Sequence, residues 1–438
     1  MAETSSGIVR SIGRWSLLAL MLNTMIGASI FGLPALLAAR LGKWSPYGFL
    51  AALAGVLVIA ACMAEVASQF RETGGPYLYT RAAFGSLAAI EIGWLNWLSR
   101  IAASAAVANL FVTYLSEFMP SVKTPMIRGA VLLLLIGFLA LVNYLGVNEG
   151  KVLSNFFTAT KLSLIFLFAI IGLTALYLHP AIRVNPPPVT PHAADMFEAV
   201  LLLIYAYAGF EAALIVSGET KDARRDIPFA LFGAIAVATV LFVSVQYLVV
   251  HTVANLAASS RPGVDSARQF LPQLGVQMAV VGTLISAYGY LSANMLHTPR
   301  ITFAMSERGD FPRIFSRIHP RFRTPHLSIL IFAALLLPFS IGGDFWWNAL
   351  LSIVARLFLY GSVAAALPVL RKKQPNADRF RLPLGGLFSG LAVAFTALLI
   401  LKMHRAEFVV VSLTTVLALV NWLWARKRGS PAQLTANP

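Results

Sequence analysis

The sequence predicts an all-α membrane protein with 12 transmembrane helices, the first ten forming two five-helix repeats of opposite orientation. Three observations carry that prediction. The 438 residues are 58% hydrophobic and only 12% charged, with a mean hydropathy of +0.75, about half the charge usual for a water-soluble domain. Apolar runs long enough to cross a bilayer as helix, about 20 residues each, recur along the whole chain. The first and sixth runs are both interrupted by small or polar residues near their centres. Matched breaks in two halves mark an inverted repeat with a site between them. Five spans per repeat, an odd number, turn the second copy over relative to the first.

Residues 1–12 are short and polar and are expected as a cytoplasmic tail. The first span, 13–39, is too long for the apolar core of a cleavable signal, so none is expected. Its centre reads LALMLNTMIGASIFGLPALL from Leu18 to Leu37, where Gly27, Ala28, Ser29 and Gly32 weaken the helix and Pro34 follows. Backbone broken at mid-depth must be covered by protein or line a cavity, because unpaired amides in hydrocarbon are costly. Two readings are open on these residues: free N–H groups turned toward an anion, or a close packing face of small residues.

The second span is expected at 46–70. The segment RETGGPYLYTRAAFG, 71–85, is too polar to span and too aromatic for a plain linker, and is expected as a short helix at the membrane surface. Spans three to five follow at 87–118, 126–143 and 152–178. The stretch HPAIRVNPPPVTPH, 179–192, is Pro-rich and extended. Span six, 195–217, is interrupted by AYAGFE from Ala206 to Glu211, and a charged turn at 219–226 leads to span seven, 228–250. A loop at 254–266 precedes span eight, 271–305. The arginine-dense segment 306–323 is expected to fold as a helical hairpin. Spans nine and ten fall at 325–341 and 345–370, and spans eleven and twelve at 382–401 and 407–424. The domains expected are repeat one at 13–178, repeat two at 179–370, the last two helices at 371–424, and a cytoplasmic tail at 425–438.

The net charge of +16 is not a nucleic-acid footprint, because the cations sit in short tracts between spans. Arg308, Arg313, Arg317, Arg321 and Arg323 occupy one such tract, and Arg371, Lys372, Lys373, Arg379 and Arg381 another. Both lie on the side of the N-terminus, which holds more than twice the Lys and Arg of the other side. That asymmetry places both termini in the cytoplasm. Cys62 is the only cysteine, and the seven histidines show no metal-ligand spacing. GASIFG lacks the Lys-Ser/Thr ending and the preceding strand of a phosphate loop. No enzyme, metal or cofactor is expected.

Charges inside spans need separate treatment. Lys161, in ATKLSLIFLF, must pair, snorkel or lose its proton. Glu211, just past the second break, either caps freed amides or belongs to an inner gate. Glu65 is a gate residue or a packing partner for an arginine. Arg100 and Arg356 also lie inside spans, with no direction assigned to either. Tyr205 and Tyr207 either face the site or are interior aromatics with paired hydroxyls.

Four segments, in order, resemble the amino acid–polyamine–organocation (APC) transporters, in particular the bacterial amino acid permeases. They are MIGASIFGLP (25–34), AEVASQFRETGGPYLYTRAAFG (64–85), YAYAGFEA with GETKDARRDIPFA (205–212 and 218–230), and RITFAMSERGDFPRIF (300–315). The resemblance implies a five-plus-five LeuT-like core with two added C-terminal helices, working by alternating access. It implies that backbone N–H groups at Gly27, Ala28, Ser29 and Ile30 receive a substrate carboxylate. Carbonyls around Ala206, Tyr207, Ala208 and Gly209 would take the ammonium, with Tyr205 covering the substrate. Ser29 stands where the family usually has glycine, so its hydroxyl adds a donor or its Cβ narrows the pocket. Lys161 matches the helix-five lysine of proton-coupled members, whose ammonium stands in for a sodium ion between helices one and eight.

The expected function is therefore import of small or medium neutral L-amino acids across the cytoplasmic (inner) membrane by proton symport. The expected partners are the amino acid, protons and the lipid bilayer, without nucleic acid, in a monomer or homodimer. The alternative is an exchanger or exporter without proton coupling, in which Lys161 only stabilises packing. Cationic substrates are disfavoured, since no acidic residue is expected to point into the pocket from helices one, three or six.

Overall fold

The computed structural model describes residues 12–27, 29–70, 74–146, 151–186, 189–211, 214, 220–375 and 379–427. The first apolar run folds as two helices, α1 (Arg14–Met25) and α2 (Ser29–Leu41). After them come α3 (Ser45–Ser68), α4 (Gly75–Phe84), α5 (Ser86–Leu115), α6 (Pro125–Tyr144), α7 (Lys151–Leu178) and α8 (Ala193–Tyr207). The rest of the chain forms α9 (Ala223–Thr252), α10 (Pro262–Phe270), α11 (Leu274–His297), α12 (Pro299–Glu307), α13 (His326–Gly342), α14 (Phe345–Lys373), α15 (Gly385–Ile400) and α16 (Arg405–Lys427). Prolines in the first turns of α3, α4, α6, α10 and α12 set these starts, where a missing N–H is no loss. Asp344 caps α14 by accepting from the Trp347 N–H at 2.8 Å.

Eight helical stretches among the described residues are long and apolar enough to cross a membrane, with α13 and α15 as shorter apolar helices. Their burial sorts them into layers. The apolar window of α5 is 83% buried, whereas those of α6 and α16 are 22% and 28% buried. Accordingly α5 packs along α14 at the centre, while Leu133, Leu134 and Phe138 of α6 and Leu413, Val416 and Val420 of α16 face outward. So much exposed apolar surface suits lipid rather than water.

Several expectations need correction or refinement. Within the expected loop 254–266 the chain starts α10, whose Val264 and Ala267 are buried; tertiary packing of this face outweighs the local Pro, Gly and Ser. The expected eighth span is one apolar stretch, Leu274–Glu307, in which Pro299, unable to donate to the preceding turn, separates α11 from α12 at Thr298. No helical hairpin forms at 306–323: the described chain makes one 3₁₀ turn, Arg313–Ser316, between Pro312 and Pro320, after Gly309 at φ 75°. Finally, α4 is packed into the body rather than lying on it, with Tyr77, Leu78, Tyr79 and Thr80 buried.

Polar links tie the bundle where α1 begins and α3 and α14 finish. Glu65, fully buried on α3, accepts from Arg371 Nε at 2.8 Å, Arg371 Nη2 at 2.6 Å and the Leu382 N–H at 2.8 Å. Arg379 Nε stands 3.4 Å from the same carboxylate. Tyr77 donates to Asp310 at 2.5 Å, Arg81 pairs with that carboxylate, and Asn421 of α16 donates to the Asp310 carbonyl at 2.6 Å. Desolvation raises the Asp310 pKa above its ordinary value, against the pull of Tyr77 and Arg81. The start of α1 is held to the segment before α9 by Lys221 N–H to Ile12 O at 2.9 Å, and to the first turn of α9 by Arg14 Nε to Asp226 at 3.3 Å.

Candidate functional site

The two broken helices meet in the interior. At Met25 α1 ends: the Ile26 N–H still bonds Leu22 O at 2.9 Å, but the Gly27 N–H turns back to Met25 O at 3.0 Å. A new helix, α2, then begins at Ser29. Its first amides, at Ser29, Ile30 and Phe31, have no intrahelical acceptors and form the positive end of its dipole. Opposite, α8 stops at Tyr207, Ala208 is extended (ψ 151°) and Gly209 takes φ +119°. The carbonyls of that last turn form a negative end. Thr24 closes the gap by donating its hydroxyl to Gly209 O at 2.8 Å.

One cavity is lined by residues from both breaks, Met25, Gly27 and Ser29 on one side and Tyr205 and Ala208 on the other, together with Thr24, Tyr290 and Arg356. A second adjoins it, sharing Thr24, Tyr290 and Arg356 and adding Arg100, Gly209, Ala293, Asn294 and His297. Each has a volume of about 10 Å³, room for a single water. A wider hollow of about 490 Å³ lies at the α13–α14 corner, lined by residues of neither break. Beyond the first cavity Tyr205 meets Phe345 edge to face, 6.0 Å between centroids. The Phe345 ring also lies directly on Gly32, where an added Cβ would come within 2.8 Å of Cε1. Behind the lining residue Tyr205, an aromatic side chain thus rests on a residue without one.

Behind the break at α8 lies a buried charged network. Glu211 accepts from the Gly209 N–H at 2.8 Å, from Arg356 Nη1 at 2.5 Å and from the Tyr360 hydroxyl at 3.1 Å. Arg356 Nε donates to Ser99 Oγ at 2.9 Å, and Arg100 lies on the same helix, α5, one residue on. Glu211 therefore both caps a freed amide and joins α8 to α14.

Lys161 is fully buried, and its ammonium donates to Asn23 O, at the end of α1, at 2.5 Å. The described hydrogen bonds include none from it to α11. Ser29, 4% exposed, lines the cavity with a hydroxyl that has no partner among the described residues.

The sequence-predicted residues distribute as follows. Gly27, Ser29 and Tyr205 line the first cavity, and Gly209 the second. Ile30 and Ala206 are buried beside the breaks, and Ala28 lies outside the described residues. The Tyr207 side chain turns away: its hydroxyl donates to Phe49 O at 3.1 Å and pairs with Thr239 Oγ1 at 3.0 Å. Residues two apart on a helix point to opposite faces, so Tyr205 and Tyr207 cannot both face the cavity. Glu65 sits in the separate cluster with Arg371 and Arg379 described above. The sequence flagged Thr24, Tyr290 and Asn294 by no signal, since a polar residue on a packed helix looks the same wherever it faces. Among the described residues no group of His, Cys, Asp and Glu could hold a metal ion.

Comparison with known families matches residues 12–423 to the amino acid permeases. A branched-chain amino acid permease of Bacillus subtilis is 28% identical over 453 residues, covering 98% of this chain and 96% of that protein. A serine/threonine exchanger of the same organism is 27% identical, covering 90% and 91%. Its methylthioribose transporter is 28% identical, covering 86% and 85%.

Proposed function

We propose that this chain, which belongs to the amino acid permease family of the APC superfamily, moves an amino acid across a cell's inner membrane by proton symport and alternating access. The observation that carries this reading is the cavity lined by both helix breaks. The start of α2 offers oriented N–H groups to a carboxylate, and the end of α8 offers carbonyls to an ammonium. A zwitterion is the ligand complementary to that pair, and neither end reads a side chain. Ser29 would add a hydroxyl donor beside the carboxylate, and Tyr205 would cover the substrate.

The alternating-access reading rests on how the cavity is closed. On one side Phe345 rests on Gly32 behind the lining residue Tyr205. On the other, Thr24 and Gly209 join the broken ends, with Glu211, Arg356 and Tyr360 behind them. We read the architecture as 12 spans, with repeats at 13–178 and 179–370, two further helices at 371–424, and both termini cytoplasmic from the Lys and Arg distribution.

Lys161 is the proposed proton carrier. Charged, its ammonium ties α7 to the end of α1 at Asn23 O. A charge-assisted bond is roughly twice as strong as a neutral one, so losing the proton loosens α1 at the break. The test is uptake of labelled amino acids into sodium-free proteoliposomes, with and without an imposed inward proton gradient. Wild type should accumulate substrate only with the gradient, and Lys161→Ala should only equilibrate it. Uptake indifferent to the gradient sinks symport and favours exchange, and a mutant that concentrates substrate like wild type removes Lys161 from the mechanism.

The relatives' printed names span branched-chain, hydroxylated and non-amino-acid substrates, so kinship does not select a side chain. The expectation of a neutral one rested on the lack of an acidic residue in the pocket. That argument disfavours cations and leaves anions open.

A further inference from the structure

Arg100 carries a positive charge into the middle of the protein with no carboxylate bonded to it among the described residues. It is 4% exposed. Its Nε reaches Asn96 Oδ1 at 3.3 Å and its Nη1 reaches Asn294 Oδ1 at 3.4 Å, both long bonds to neutral amides. Its Nη2 has no partner among the described residues. The carboxylate of this region, Glu211, is already committed: one oxygen to Arg356, the other to the Gly209 N–H and the Tyr360 hydroxyl. Glu211 thus pairs with Arg356, and Arg100, bonded only to neutral amides, leaves one positive charge in excess among the described residues.

Such an arrangement is costly as it stands. A buried donor left unsatisfied is destabilising, the more so when it is charged, and buried charges are ordinarily paired. Arg100 lines the second cavity, which shares Thr24, Tyr290 and Arg356 with the cavity between the helix breaks. An amino acid held by its backbone at the breaks therefore has one direction in which its side chain meets a free guanidinium. Asn294 holds that guanidinium in place, because its own Nδ2 donates to Tyr290 O at 3.1 Å and so turns Oδ1 toward Arg100.

We propose that Arg100 is a specificity residue that pairs with a carboxylate on the substrate's side chain, so that the transported amino acid is acidic, aspartate or glutamate. This rests on the amino acid carrier reading above. A carboxylate fits the planar fork formed by Nη1 and Nη2 and neutralises the excess charge. An amide of the same shape supplies one acceptor and no charge, and a cationic side chain would face two arginines.

The test is counterflow with the purified full-length chain in liposomes preloaded with unlabelled amino acid. Counterflow needs no proton gradient, so a failure of symport cannot mask the result. Labelled glutamate and aspartate are compared with glutamine, asparagine and leucine. At least one acidic amino acid should exceed its amide by about tenfold or more, since a hydrogen bond to a charged group is worth about 1.5–3 kcal/mol. Arg100→Gln should bring that ratio close to one, and Arg100→Lys, which keeps the charge without the fork, should fall between. Size-exclusion chromatography checks that each variant folds; if Arg100→Gln does not, the wild-type ratio and Arg100→Lys still decide. Wild type that exchanges glutamine, asparagine or leucine and refuses glutamate and aspartate overturns the inference and leaves the carrier reading standing. Exchange of no amino acid overturns both. An acidic preference unchanged in Arg100→Gln overturns the role of Arg100.

Discussion

Gly209→Ala tests the meeting of the two broken helices more sharply than any other single change. Gly209 holds φ +119°, a conformation that costs a residue with a Cβ about 1–3 kcal/mol. The new methyl would stand 2.6 Å from Thr24 C and 2.9 Å from Met25 N, and closer still to Thr24 O. All three are backbone atoms, so no side chain can rotate aside, and the overlap adds about 1–3 kcal/mol. Moving the chains apart also breaks the 2.8 Å bond from Thr24 Oγ1 to Gly209 O, worth about 1 kcal/mol. Together these penalise the closed arrangement by about 3–7 kcal/mol, and about 1.4 kcal/mol is a factor of ten. Substrate affinity, measured on monodisperse protein in detergent, should fall by about a hundredfold or more, and the melting temperature should drop. Gly137→Ala is the control: on α6 an added Cβ meets nothing within 4 Å, so stability should change by no more than about 1 kcal/mol, upward, from helix propensity. A Gly209→Ala protein with wild-type affinity and melting temperature would refute the claim that this contact sets the closed state.

Two further substitutions probe the ends of the argument. Gly27→Leu should abolish substrate binding without unfolding the protein, because its Cβ already lies 3.1 Å from Tyr290 Cδ2 and the remaining carbons must occupy the cavity; unchanged affinity by equilibrium binding would remove the break of α1 from the site. Glu65→Gln should cost about 3–5 kcal/mol, since it leaves Arg371 and Arg379 without the carboxylate they share. Thermal unfolding in detergent reads this directly, and a wild-type melting temperature would show that the cluster does not hold α3 to α14.

Both helix breaks were legible because they are anomalies of composition. Gly27 to Ser29 weaken an otherwise apolar run, and Glu211 is a charge where hydrocarbon is expected. Lys161 stood out for the same reason. What could not be read was pairing. Arg100 and Arg356 are visible as charges inside spans, and both lie on polar stripes, Asn96, Arg100 and Ser104 on α5 and Asn348, Ser352, Arg356 and Tyr360 on α14. A stripe marks the inward face but not its partner, so that Arg356 reaches Glu211 while Arg100 reaches Asn96 and Asn294 depends on how the helices pack. Tyr207 illustrates the converse. It lies in the right segment, yet helical geometry sends its side chain to Phe49 and Thr239. The pairing of Asp310 with Tyr77 and Arg81 joins segments distant in the chain, and periodicity contains no term for such a contact.

The two ties at the end where α1 begins differ in kind, and the difference decides what moves. Glu65 is dry and its bonds are charge-assisted, whereas the Arg14 side chain is 49% exposed. A wetted ion pair is worth about 0–1 kcal/mol and is screened over about 8–10 Å of salt solution. Thermal agitation will open the Arg14–Asp226 pair many times before it parts α3 from α14, leaving the first helix seated by the Lys221–Ile12 bond and by buried Leu17 and Met21. Were that seat also to give way, the 12 residues of α1 would form a lever about 18 Å long, pivoting where Thr24 meets Gly209. A swing of about 20° would carry its free end about 6 Å and uncover the shared cavity from that side. On this geometry, ionic strength on that face of the membrane is a control on how often the lever lifts.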